Sequence, residues 1–223
     1  MRVIAWSKDF AEPPAVRGWL HQPAKKAKAG IVLTHGAGGN CESPLLIALC
    51  DVFAEQGVAA LRGDLPYRQK RPSGPPSPSG AGMDRKGLER AATSLGEEVE
   101  GPVYLGGSSY GGRQASMLAA EKPDVAKGLL MLSYPLHPPG KPEALRTDHF
   151  GGIQAPVLFA HGSKDVFGSE EEIRAAMNLL KVPKELELFA GATHGLVQKR
   201  DGAAKVRSIA EKITGRFLVL VGT

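Results

Sequence analysis

The stretch Leu105-Gly106-Gly107-Ser108-Ser109-Tyr110-Gly111-Gly112 decides how the rest of the chain reads. Its core, Gly107-x-Ser109-x-Gly111, follows a short β-branched and aromatic run, Val103-Tyr104-Leu105. It precedes a stretch suited to a packed helix, with Met117 and Leu118 among the alanines between Ala115 and Ala120. A serine on a sharp strand-to-helix turn takes up strained backbone angles, and side chains two residues to either side would clash. Glycine at both flanking positions therefore has a steric reason. Ser108 is the rival, but centring the motif on it puts Tyr110 where the second glycine belongs. Ser109 is thus nominated as an activated nucleophile. In a chain with 28 glycines the same pattern also suits a glycine-rich turn, so the assignment depends on what accompanies it.

The first companion is a loop. After a strand-like Ile31-Val32-Leu33-Thr34 comes His35-Gly36-Ala37-Gly38-Gly39, ahead of an apolar helix around Pro44 to Phe53. A loop of this kind lends an amide to an oxyanion hole, where two preorganised backbone N–H groups can each be worth about 3 kcal/mol to a carbonyl oxygen gaining charge. Tyr110, at the helix N-terminus directly after the nucleophile, offers one such amide and Ala37 the other.

Two further strand ends carry candidates in the order that completes a relay. Pro156-Val157-Leu158-Phe159-Ala160-His161 runs into Gly162-Ser163-Lys164-Asp165, which places Asp165 in a strand-end loop. Ser169-x-x-Glu172 is then a capping box, opening a helix whose Ile173, Ala176, Met177 and Leu180 recur at helical spacing. Glu185-Leu186-Glu187-Leu188 alternates with period two, as a strand with one wet face does, and leads into Ala190-Gly191-Ala192-Thr193-His194-Gly195. A serine hydroxyl is a poor nucleophile at neutral pH. It needs an imidazole to take its proton and a carboxylate to fix the tautomer and stabilise the imidazolium. Ser109, His194 and Asp165 fill those roles.

The order serine, acid, histidine, with the glycine loop upstream, resembles the α/β-hydrolase superfamily over nearly the whole chain. Within it the chain is most similar to the small, lidless, dienelactone-hydrolase-like members, with their testis-expressed and acetyltransferase-complex-subunit relatives. Dienelactone hydrolases proper carry a cysteine nucleophile where this chain has Ser109. The resemblance therefore implies the fold and a hydrolase mechanism, not their substrate.

Each assignment has rivals. His21 lies near the N-terminal strands; His35 and His161 stand where they would order neighbouring loops by hydrogen bonding; His137 and His149 fall in Pro-rich or irregular sequence. Asp64 also follows a strand-like run, Val58 to Leu61, but reads as a turn or cap aspartate ahead of Pro66. Arg113, just inside the helix after Ser109, either binds an acidic substrate group or braces loops.

The 223 residues suit one α/β-hydrolase domain, residues 1–223, with a mostly parallel sheet covered on both faces. Strands are expected near 2–6, 17–20, 31–35, 58–62, 103–107, 128–133, 156–161 and 185–189, with active loops at their carboxyl ends. No span between 133 and 156 is long enough for a helical cap, so small substrates are expected. Tyr67-Arg68-Gln69-Lys70-Arg71-Pro72 and the Pro/Gly/Ser tract running to Gly82 read as neither helix nor central strand, and as a mobile loop near the site. Phe217 to Val221 suits either a helix end or an edge strand.

The formal charge of +5 comes without a nucleic-acid fold signature or a long basic run, so no nucleic-acid partner is expected. No stretch approaches the roughly 20 apolar residues of a membrane span, and the N-terminus lacks the apolar core of a signal peptide, so a cytoplasmic enzyme without a membrane partner is the expectation. Cys41 and Cys50 form no disulfide framework and have no metal-ligand spacing; no cofactor and no metal are called for. The reading converges on a serine hydrolase of small carboxylic esters or lactones. A peptidase or thioesterase using the same triad, and a non-catalytic interaction protein keeping the fold, stand as alternatives.

Overall fold

The apolar runs read from the sequence form one sheet in the computed structural model, which describes residues 1–198 and 200–223. Eight strands are present among these residues: β1 (Arg2–Lys8), β2 (Val16–Gln22), β3 (Ala29–Thr34), β4 (Val58–Gly63), β5 (Val103–Ser108), β6 (Leu129–Leu132), β7 (Val157–Gly162) and β8 (Lys184–Phe189). Their spatial order is β1-β2-β4-β3-β5-β6-β7-β8. β1 pairs antiparallel with β2, and β2 with β4; every later pairing is parallel. A parallel strand covered on both faces reads as a continuous apolar run, which is why Ile31-Val32-Leu33 is legible. Ile31 and Leu33 face one layer and Val32 the other, as the period of two requires.

Six α-helices are present among the described residues: α1 (Pro44–Glu55), α2 (Pro66–Lys70), α3 (Ala81–Gly96), α4 (Tyr110–Glu121), α5 (Glu170–Met177) and α6 (Ala203–Val221). α1 and α6 pack on one face through Leu46, Leu49, Phe53, Ile213 and Phe217. α3, α4 and α5 pack on the other through Leu88, Leu95, Leu118 and Ile173. The capping box at Ser169 is formed, with Glu172 N–H donating to Ser169 Oγ and Ser169 N–H to the Glu172 carboxylate at 2.7 Å. Residues 133–156 hold only a 3₁₀ turn at Phe150–Gly152, so no helical cap lies over the sheet there. Among the described residues no helix is long and apolar enough to cross a membrane.

The structure corrects the reading at two places and decides a third. The 67–82 tract is not free of helix: α2 takes up Pro66–Lys70, a 3₁₀ turn spans Pro78–Gly80, and α3 begins at Ala81. Proline breaks a helix from within, but Pro66 occupies the first turn, where its fixed φ and missing N–H cost nothing. The expected wet face of β8 is covered. Glu187 is buried, because α6 lies over that face and brings Lys212 Nζ to 2.6 Å and Arg216 Nε to 3.6 Å from its carboxylate. Phe217 to Val221 finishes α6 and is not an edge strand. Phe217 stacks edge-on against Tyr104 at 5.3 Å and Phe53 at 5.9 Å, tying the C-terminus to β5 and α1.

That contact gives the fold a direct test. Phe217→Ala empties a fully buried site and should cost about 3–5 kcal/mol, read as a lower denaturation midpoint at unchanged slope. A loss under about 1 kcal/mol would place the tail elsewhere than against Tyr104 and Phe53.

Candidate active site

The C-terminal ends of β3 and β5 approach so closely that side chains are excluded. A methyl group at Gly107 would lie 2.6 Å from Thr34 O, and one at Gly111 would lie 2.4 Å from Thr34 Oγ1 and 2.7 Å from His35 O. Between these glycines the chain turns from β5 into α4 at Ser109, which has φ 49° and ψ −112°. A β-carbon in that region is strained and persists only where the surroundings hold it. Here Ser109 N–H donates to Leu132 O at 2.8 Å, and Ser109 O accepts from Arg113 N–H at 2.9 Å.

The hydroxyl of half-buried Ser109 meets the histidine that follows β8. Ser109 Oγ and His194 Nε2 lie 2.8 Å apart. On the far side of the ring, Nδ1 stands 2.8 Å from Asp165 Oδ2 and 3.0 Å from Oδ1. With Nδ1–H donating to the carboxylate, Nε2 is left as the acceptor of the serine proton. The Asp165 side chain has no solvent exposure, while that of His194 keeps 25%. Asp165 Oδ1 also accepts from Phe167 N–H at 2.9 Å, so the buried carboxylate is well hydrogen-bonded. The Phe167 ring lies 4.2 Å from the His194 ring at 32°, restricting its rotation.

The glycine loop is held from below. Arg68 donates from Nε to Gly39 O at 2.7 Å and from Nη2 to Ala37 O at 3.1 Å. Tyr67 Oη donates to Ala37 O at 3.0 Å. Beneath them, Asp84 accepts from Tyr67 N–H and from the Tyr110 hydroxyl at 2.7 Å. Burial raises the Asp84 carboxyl above the usual carboxylate range, its hydrogen bonds only partly opposing this. Ala37 and Tyr110 both border a cavity that Ser109 also lines.

The rival residues are occupied elsewhere. His35 Nδ1–H donates to Gly36 O at 2.9 Å while Nε2 accepts from Leu65 N–H at 3.2 Å; burial keeps its imidazole below the ordinary range. His161 donates from Nε2 to Gly168 O at 2.7 Å, and its Nε2 stands 3.7 Å from Asp165. His21 bridges Asp51 and Arg62, His137 lies against Pro138 O and Glu172, and His149 pairs with Ser116 Oγ. Asp64 Oδ1 accepts from Cys41 N–H at 2.8 Å, a loop tie. Both cysteines are free and buried; burial, aided by Asp64 and Glu42, pushes the Cys41 thiol up to about 12, which leaves negligible thiolate at neutral pH.

The sequence model of the family described as an alpha/beta hydrolase domain matches residues 27–217. The chain belongs to the alpha/beta hydrolase family. Solved structures with the same fold include Est1E from Butyrivibrio proteoclasticus, at 18% identity and a TM-score of 0.77 over 98% of this chain and 99% of that one. A dienelactone hydrolase from Anabaena variabilis aligns at 20% identity and a TM-score of 0.72, covering 97% of this chain and 98% of that one. A serine hydrolase without a lid from Xanthomonas campestris aligns at 15% identity and 0.72, over 96% and 94% of the respective chains. At these identities the likeness is one of fold. Like other alpha/beta hydrolases, the chain gathers its polar loops at the carboxyl ends of the parallel strands.

Several site residues carried no usable signal in the sequence. Phe167 is one apolar residue in a loop, and Tyr67, Arg68 and Asp84 act through contacts 17 to 32 residues away in the chain. The turn geometry yields a test: Gly111→Ala should destabilise the protein by about 1–3 kcal/mol, lowering its melting temperature by roughly 2–4 °C per kcal/mol. An unchanged melting temperature would mean that β3 and the turn stand further apart in solution.

Proposed function

We propose that this alpha/beta hydrolase is a serine hydrolase that cleaves small carboxylic esters or lactones through an acyl-enzyme. The observation that carries the reading is the continuous run of short contacts from Ser109 Oγ through His194 to the buried Asp165. In this mechanism Ser109 Oγ forms a bond to the substrate carbonyl carbon as its proton passes to His194 Nε2. The carbonyl oxygen becomes an oxyanion held by the amides of Ala37 and Tyr110, the second at the N-terminus of α4. Collapse breaks the carbon–oxygen bond to the alcohol, which leaves with the proton from His194. Water, deprotonated by the same imidazole, then attacks the ester carbon, and the acid departs as Ser109 regains its proton. Asp165 holds the tautomer throughout and stabilises the imidazolium; it does not itself take the proton.

The reading is tested without choosing a substrate by treating the protein with a fluorophosphonate and locating the adduct by mass spectrometry. We expect label on Ser109 in the wild type, none in Ser109→Ala, and labelling in His194→Ala slowed by on the order of a thousandfold or more. On a chromogenic acetate ester, Asp165→Asn should lower kcat by about four orders of magnitude through the wrong tautomer. Folded protein that takes no label would instead support a non-catalytic interaction role.

A further inference from the structure

Ser109 stands between two cavities. One, of about 530 Å³, is bordered by His194, Gly195, Val197 and the glycine loop. The other, of about 570 Å³, lies on the Tyr110 side and is bordered by Arg113, Gln114, Met117, Pro135 and Arg146, with Pro75, Pro76 and Pro78 of the proline tract at its edge. Either volume suits a small ligand. Because His194 must hand its proton to the departing oxygen, the leaving group belongs on the His194 side. The acyl chain then enters the second cavity.

That second cavity is rich in donors and poor in acceptors. Arg113 sits one helical turn beyond Ser109, and its Nε is buried with no hydrogen-bond partner among the described residues. Gln114, fully buried, has its Oε1 committed to Arg85 Nη1 at 3.0 Å, while its Nε2 is likewise without a partner. Arg146, half-buried, reaches the wall with one long bond from Nη1 to Pro135 O at 3.3 Å. No carboxylate of the described residues lies within salt-bridge distance of Arg113 or Arg146. The buried arginines among the described residues are provided for: Arg62 pairs with Glu42 at 2.9 Å, and Arg68 is spent on loop carbonyls. Burial, and then the neighbouring Arg113 charge, hold the Arg146 guanidinium below its ordinary pKa, and burial and the same charge hold His149 down to about 4. Two like charges drawn out of water beside orphaned donors are the complement of a planar anion, which guanidinium groups bind with paired hydrogen bonds.

We propose that Arg113 and Arg146, with Gln114, form an acyl-side carboxylate site, so that the substrates are monoesters or thioesters of dicarboxylic acids, attacked at the carbonyl remote from the free carboxylate. The assignment rests on Ser109 being the acyl-enzyme nucleophile. The chain between the two ends is short and apolar, since Met117, Pro135 and Phe167 line the way.

The test compares two methylumbelliferyl esters, the adipate monoester and the uncharged heptanoate of similar length. We expect kcat/KM to favour the adipate ester by about tenfold or more at low salt, mostly through KM, as charge-assisted bonds are worth on that order. In Arg146→Gln and Arg113→Gln the ratio of the two should fall toward one. Arg146→Glu should reverse it, favouring the ester of aminohexanoic acid over the adipate. Fluorophosphonate labelling of Ser109 in each variant establishes that the nucleophile and its surroundings are intact. If the wild type cleaves the heptanoate in a Ser109-dependent way but shows no preference for adipate, or if the arginine variants slow both esters equally, the carboxylate site is wrong and the hydrolase reading stands. If Ser109 neither labels nor supports cleavage of either ester, both readings fall together.

Discussion

Everything at this site depends on how closely β3 and β5 approach at their carboxyl ends. Thr34 and His35 present backbone oxygens to Gly107 and Gly111 at distances no β-carbon would tolerate. The strained turn at Ser109 is the result of that contact: the chain leaves β5, finds no room to continue, and enters α4 with φ at 49°. The strain is held by two backbone hydrogen bonds, one to β6 and one from the first turn of α4. One steric constraint therefore places a serine at the carboxyl end of the central strand β5, sets an N-terminal helix amide next to it, and lays the glycine loop against it.

The second constraint is electrostatic. Asp165 is a carboxylate with no solvent contact, and a buried charge is tolerated only with partners. His194 and the Phe167 amide supply them, and the stacked Phe167 ring limits how the imidazole can turn away. A similar logic appears under the glycine loop, where buried Asp84 ties Tyr67 and Tyr110 while Arg68 spreads its donors over loop carbonyls. Half-satisfied networks of this kind would destabilise the fold, whereas well-bonded ones rigidify the parts a hydrolase needs preorganised.

Much of this was legible from the chain because the signals are local. Ile31-Val32-Leu33, Val157 to Ala160 and the Ser169 capping box read from neighbours within a few residues, and the glycines around Ser109 mark a turn wherever they occur. Ser109, Asp165 and His194 were singled out by their places at strand ends, and the fold brings their side chains within hydrogen-bond distance of one another. What escaped was long-range. The helix at Pro66–Lys70 was obscured because prolines around it looked like breakers when they serve as its boundaries. Glu187 looked solvent-facing until α6, from the end of the chain, brought Lys212 and Arg216 over it. Arg146 lies in an irregular stretch, and only the fold carries it to within reach of the Arg113 charge.

The arginine pair also bears on how stability and function divide the molecule. Elsewhere on the surface several cations are matched: Lys8 with Glu97, Lys122 with Glu89, Arg174 with Glu170 and others form exposed pairs worth little individually. Folding alone would favour a glutamate or an apolar residue at one of positions 113 and 146, since two half-buried guanidiniums without a counter-charge repel each other and lose hydration. Their place is not arbitrary. They border the cavity on the side of Ser109 away from His194, where the carboxylate site proposed above would lie. On that proposal, a cavity with this balance of charge would discriminate between acyl chains by the cost of leaving its cations unpaired, a larger penalty than apolar contact alone can impose.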